Sequence, residues 1–215
     1  MPVHIADSRR SPAADTRRRI LAVALELFSA HGYAGASMRD IAETMGMTKA
    51  AVYYHFESKE QILEAVTEPM RVEMDRMMQE ATGPAPPTPE QLLTRLADML
   101  SRHALLIGTV FNDPSSGGPG HHMQAREKFR PIVGILAGDG GPDRVVRARC
   151  ALGAVVFAVL ATVRTDPGFG EPVRGEQALR LLDGEHHALD ADLRREVVAA
   201  ALRALGEPAG PSASA

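Results

Sequence analysis

Thr48, Lys49, Tyr53, Tyr54 and His55 fall within eight residues of one another in the stretch "TKAAVYYHF", residues 48–56. The group offers a cationic ammonium, three hydroxyl donors and an imidazole, with the small Ala50 and Ala51 between them. Such a set suits an anionic polymer: lysine neutralises phosphate, hydroxyls donate to phosphate oxygens, and the flat apolar body of tyrosine can touch thymine methyls. One tyrosine alone would read more simply as a half-buried helix residue with a wet hydroxyl. Other reactive types are sparse. His121-His122 and His186-His187 are adjacent pairs, which on a helix point about 100° apart and rarely share one ion. Cys150, the one cysteine of 215 residues, sits in the apolar run "CALGAVVFAVLATV" and reads as a small buried hydrophobe. No nucleophile elbow, metal-ligand spacing or phosphate loop occurs, so neither a metal nor a cofactor is expected, and an enzyme using Cys150 or a histidine is the rival reading.

Helices must position the cluster, because apolar residues recur at three and four spacing and no stretch alternates with period two. The first is expected over residues 16–30, with Ile20, Leu21, Ala24, Leu25, Leu27 and Phe28 on one face, Asp15 as cap and Gly32 as stop. Ser37 followed by Asp40 opens a second that Gly46 ends, Thr48 caps a third running to about His55, and "SKEQ" at 58–61 is a capping-box pattern opening a fourth. The two short helices joined by a glycine turn form a helix-turn-helix frame, whose second helix enters the major groove of DNA. In that frame Ile41, Ala42 and Met45 pack against Val52 and Phe56, Met47 fills the turn, and Lys49, Ala50, Tyr53 and Tyr54 face outward.

Net charge is distributed to match. The whole chain carries −3, yet residues 1–60 hold 8 Lys/Arg against 7 Asp/Glu. Arg9, Arg10, Arg17, Arg18 and Arg19 concentrate in the first twenty residues, a basic start on an acidic body that favours local contact with an anionic polymer. The prolines of "TGPAPPTPE", residues 82–90, mark a joint. A fifth helix follows from Glu90 to about Val110, with Leu92, Leu93, Leu96, Met99, Leu100, His103, Leu106, Ile107 and Val110 on one stripe. Further helices are expected near 121–137, 142–164 and 187–205. The single cysteine and the lack of a leader-like apolar run fit a cytoplasmic protein, and the longest apolar run is short of the ~20 residues a membrane span needs, so it reads as a buried core helix.

Residues 20–63, "ILAVALELFSAHGYAGASMRDIAETMGMTKAAVYYHFESKEQIL", resemble the DNA-binding region of the TetR family of bacterial transcriptional regulators. The resemblance lies in a helix ending in phenylalanine and Gly-Tyr, a Ser-led helix with Ile-Ala, then Thr-Lys-x-x-Val-Tyr-Tyr-His-Phe-x-x-Lys-Glu. It implies an all-α homodimer with an N-terminal three-helix helix-turn-helix domain and a larger C-terminal helical domain for ligand binding and dimerisation. The expected division is a flexible basic arm at 1–14, the DNA-binding domain at 15–62, the C-terminal domain at 63–205 and a disordered tail at 206–215. By the same resemblance Ser37, Met38, Thr48, Lys49, Ala50, Tyr53, Tyr54, His55 and Lys59 are DNA contacts, although Ala50 replaces the glycine often found there. The dimer interface is expected on the helices near 142–164 and 187–205. Met99, His103, Phe111, Phe129 and Phe157 are candidates to line a ligand pocket of aliphatic character, with His103 either orienting the ligand or, more simply, a core histidine bonded to a carbonyl. The expected partners are an operator in double-stranded DNA, a small-molecule effector and a second copy of the chain, with no membrane. Repression released by an apolar ligand is the reading, and a non-inducible DNA-binding dimer is the alternative.

Overall fold

A computed structural model of the chain describes residues 11–104, 106–107, 129–165, 173–183 and 189–206, and every element among them is helical. The first is α1, Pro12–Gly35, in which Gly32 at φ 73° breaks the helical path. Its start differs from expectation: Ser11, not Asp15, is the N-cap, accepting from the Ala14 amide, and Pro12 takes the first turn, where its missing N–H costs nothing. Asp15 instead lies in that turn, where its charge opposes the helix dipole. The helix α2, Met38–Thr44, carries a complete capping box between Ser37 and Asp40. Helix α3, Lys49–His55, is capped by Thr48, whose Oγ1 accepts from the Ala51 amide at 3.2 Å.

Helix α4, Lys59–Ala81, begins at Ser58, but the box there is split: Ser58 Oγ accepts from the Gln61 amide, while Gln61 Oε1 accepts from the Glu57 amide. Thr88 and Gln91 form a further complete box at the head of α5, Pro89–Arg102. The stripe predicted as far as Val110 ends its regular helix at His103, with Ala104, Leu106 and Ile107 again helical; residues 105 and 108–128 lie outside the described ones. Residues 129–137 are helical (α6). Helices α7, Gly141–Thr165, and α9, Ala191–Leu205, match their expected spans within a few residues, α9 starting at Asp190 as N-cap. Between them α8, Glu176–Leu182, is an element that the apolar periodicity did not suggest.

Two apolar cores form. In the C-terminal one, Leu92, Leu93 and Leu96 of α5, Ile132 and Leu136 of α6, Val155 and Val159 of α7 and Val198 and Leu202 of α9 are buried together. Ala148, Ala151 and Ala201 are fully buried there, and small side chains at such positions let helix axes approach. The N-terminal core joins Ile20, Leu25 and Phe28 of α1, Ile41 and Ala42 of α2, Val52 and Phe56 around α3, and Ile62 and Val66 of α4. Leu106, Val173, Ala178 and Leu181 also belong to it, so segments distant in sequence complete the first domain. One helix reaches both cores, because α4 buries Ile62 and Val66 at one end and Met77 and Ala81 at the other. Pro69 lies between those ends and removes the amide that would bond one turn back.

Helix α7 corrects the expectation of a fully buried core helix. Its segment Gly141–Thr162 has a mean hydropathy of 1.8 and is long enough to cross a membrane, but only 28% of the apolar window is buried. Helical period splits it into two faces: Ala148, Ala151, Val155 and Val159 enter the core, while Val146, Cys150, Gly153 and Phe157 are exposed. Cys150 is therefore an exposed thiol, not a buried hydrophobe.

Candidate nucleic-acid interface

The turn between α2 and α3 is built from backbone. Met45, Gly46 and Met47 donate their amides to the carbonyls of Ile41, Glu43 and Ala42. Gly46 has φ 64°, the left-handed region that costs a side-chain-bearing residue energy. The turn aims α3 so that its two core anchors, Val52 and Phe56, are at most 1% exposed. Lys49, Ala50, Tyr53 and Tyr54 then spread over an arc of about 140° on the outer side. Tyr54 is 84% and Tyr53 41% exposed, and the Lys49 ammonium lies 5.5 Å from the Tyr53 ring. Large aromatic rings facing water on a two-turn helix gain nothing for the fold, whereas a groove of DNA would cover them.

Three of the expected contacts prove to be occupied within the protein. Met38 is 7% exposed and belongs to the N-terminal core, so only its backbone can meet a partner. Ser37 donates its hydroxyl to Asp40 Oδ2 at 2.7 Å and accepts from the Asp40 amide; its single O–H hydrogen is thereby committed. The Ser37 hydroxyl, and after it the Ser37 amide, which donates to Asp40 Oδ2 at 2.9 Å, hold the Asp40 carboxyl below its usual range. Lys59 donates to the carbonyls of Tyr33 at 2.7 Å and Ala36 at 2.8 Å, and stacks 4.2 Å from the Tyr33 ring. Tyr33 in turn donates to Glu60 Oε1; burial, then the Glu60 charge, push its hydroxyl up to about 12.

His55 is half-buried, edge-on to the Tyr54 ring at 5.3 Å. Its carbonyl accepts from Arg17 at 2.8 Å, and the Arg17 guanidinium lies 4.0 Å over Phe56. Arg18 forms an ion pair with Asp183. Two arginines that the charge pattern assigned to a DNA-seeking basic start thus serve internal contacts. Thr48 keeps its O–H hydrogen while its oxygen caps α3.

Of the residues expected to line a pocket, Met99 borders an open groove of about 440 Å³ between α4 and α5, with Val72, Glu73, Arg76, Met77 and Arg102. His103 is 4% exposed and bonded through Nε2 to Glu73 Oε2 at 3.2 Å; its partner is a carboxylate, not a carbonyl. Burial pulls its pKa below the usual histidine value against the opposing pull of Glu73. Phe129 packs on the C-terminal core and Phe157 is 76% exposed on α7, so the described members of the set do not surround one cavity. Phe111 and both histidine pairs lie outside the described residues.

Residues 20–66 match the family model described as bacterial regulatory proteins, tetR family. The N-terminal domain belongs to the TetR family. The regulator SrpR of Pseudomonas putida is 42% identical over 62 residues, which cover 29% of this chain and 29% of that protein, so the sequence likeness is confined to less than a third of its length. Fold likeness extends further. A transcriptional regulator from Aquifex aeolicus VF5 superposes with a TM-score of 0.56 at 23% identity, covering 79% of this chain and 97% of that one. SmeT in complex with triclosan gives 0.52 at 21% identity, over 82% and 93%. The all-α fold is therefore shared over most of the chain.

Proposed function

We propose that the chain is a transcriptional repressor that binds a palindromic DNA operator as a homodimer and is released by a small apolar effector. The observation that carries the reading is the outer face of α3, where Lys49, Ala50, Tyr53 and Tyr54 stand exposed on a helix anchored from behind by Val52 and Phe56. Thr48, Lys49, Tyr53 and Tyr54 contact DNA through side chains, with Ala50 leaving room for base edges. Ser37 and Met38 contribute backbone, and His55 lies at the rim. The helix offers no arginine, asparagine or glutamine, so base readout rests on Lys49 and on apolar contact with thymine methyls.

A second copy supplies the paired helix that a palindrome needs, at a spacing of about 34 Å. Support comes from the exposed stripe of Val146, Cys150, Gly153 and Phe157 on α7, an apolar strip that a two-fold partner would cover. Effector binding beside α4 would act on the DNA-binding domain through that helix, since its two ends sit in the two cores. The groove bordered by Val72, Met77 and Met99 is the candidate entry. SmeT, of like fold, binds triclosan.

The test begins with DNA selected from a random-sequence pool by the purified protein. Tyr54→Ala and Lys49→Ala weaken binding of the selected sequence with folding and dimerisation unchanged, and Lys49→Ala lowers the slope of log K against log salt by about 1 for each protomer. Unchanged affinity in both variants would sink the assignment. Effector response is read separately, by loss of the shifted band and a rise in Tm on addition of apolar compounds.

A further inference from the structure

Residues 173–183 come from the C-terminal half of the chain yet lie along α1. The Val173 amide donates to Ser29 Oγ at 2.8 Å, the Gly175 amide donates to Glu26 Oε1 at 2.5 Å, and Asp183 pairs with Arg18. Val173, Ala178 and Leu181, each at most 4% exposed, complete the N-terminal core. Three polar contacts at positions 18, 26 and 29 grip α1 over three turns, which fixes its rotation as well as its place.

One residue before Arg18, Arg17 points to the other neighbour of α1. Its guanidinium donates to the last carbonyl of α3, that of His55, and covers the Phe56 ring. Helix α3 has seven residues, with Val52 its only buried one; the turn and the Thr48 cap hold its start, and the contacts of His55 and Phe56 hold its end. A cation bonded to a terminal carbonyl satisfies an acceptor that the helix leaves unpaired and favours the negative end of its dipole.

We propose that Arg17 is a positioning residue for the recognition helix and that the strap at residues 173–183 holds Arg17 in place by clamping α1. A segment from the C-terminal half of the chain then reaches α3 through α1, beside the direct link that α4 provides. This rests on the reading of α3 as the recognition helix, but the coupling itself is a property of the free protein.

The experiment is amide hydrogen exchange on the full-length protein without DNA, comparing Arg17→Ala, Arg17→Lys, the strap variant Ser29→Ala/Asp183→Asn, and Arg17→Ala combined with the strap variant. Arg17→Ala speeds exchange over residues 52–56 about three- to tenfold, the effect of losing one hydrogen bond, while α2 and α5 keep their rates. Arg17→Lys restores part of the protection. The strap variant speeds the same α3 amides, and the combined variant is no faster than Arg17→Ala. An α3 unmoved by the strap variant overturns the proposal, as do effects that multiply in the combined variant. If the double strap variant raises exchange throughout the domain, Asp183→Asn alone takes its place. Because no DNA enters this measurement, failure to find an operator would refute the functional reading and leave this one standing.

Discussion

Lys59 separates two roles that a sequence pattern merges. As a phosphate contact it would add affinity for DNA and nothing to stability. In the structure its ammonium joins the end of α1 to the start of α4, through the carbonyls of Tyr33 and Ala36 and the Tyr33 ring. Hydrogen bonds from a charged donor contribute about 1.5–3 kcal/mol each, but Lys59 is half-buried and water can replace part of what is lost. Lys59→Met keeps the aliphatic stem and removes both bonds, so a total of about 2–3 kcal/mol is expected, with the lower end of the range taken for each bond. For a chain of this size that lowers Tm by roughly 4–12 °C. Tyr54→Ala, at an 84% exposed position, changes stability by less than about 0.5 kcal/mol. Differential scanning calorimetry of the two variants beside wild type gives the first readout. The salt dependence of DNA binding gives the second, since removal of a phosphate contact reduces the slope by about 0.9 per protomer. Lys59→Met is expected to lose stability and keep the slope. A variant with wild-type Tm and a reduced slope would refute the structural role and return Lys59 to the DNA.

Three further outcomes follow from single features. Phe157→Asp places a charge on the exposed stripe of α7 and should convert a dimer into monomer in size-exclusion chromatography with light scattering; a dimer that persists would place the interface elsewhere. Gly46→Ala meets no atom within 4 Å of its new Cβ, so its cost is that of the φ 64° backbone alone, about 1–2 kcal/mol, measurable by urea unfolding. His103 has its pKa lowered by burial in the folded state, so the unfolded chain takes up the proton first as pH falls below about 6.5. Stability should therefore decline from that pH down to the folded value and level off beneath it; thermal melts between pH 5 and 8 show whether His103→Gln removes that step.

What the sequence made legible was local. Ser37 with Asp40, Thr48 and Ser58 each mark a helix start through bonds spanning three residues, and the period of Leu92, Leu93 and Leu96 predicts the buried side of α5. The outward set of α3 follows from the same logic once Val52 and Phe56 are placed inside. Long-range partners were not legible, because nothing near Lys59 in sequence announces the carbonyls of Tyr33 and Ala36, and nothing near His103 announces Glu73, thirty residues earlier. The apolar run containing Cys150 misled for a related reason: composition gives a helix's hydrophobicity but not which neighbour covers each face, and among the described residues α5 and α9 pack on the side of α7 that carries Ala148, Ala151, Val155 and Val159.

The strap at residues 173–183 lies at the extreme of that difficulty. "EQALRLL" is too short to show a helical period, and its buried Ala178 and Leu181 find their partners in α1, about 150 residues away. A family resemblance that ends at the DNA-binding domain cannot supply such a contact either, because one side of it lies outside the resemblance. Yet the contact changes how the domain is understood. A helix-turn-helix tied to the rest of the chain through α4 alone could swing about Pro69; one whose first helix is also clamped at Arg18, Glu26 and Ser29 must carry the strap with it or break those bonds. An effector that turns α3 relative to α1 therefore also works against the strap's contacts, and the differential affinity it needs includes the free energy of releasing them.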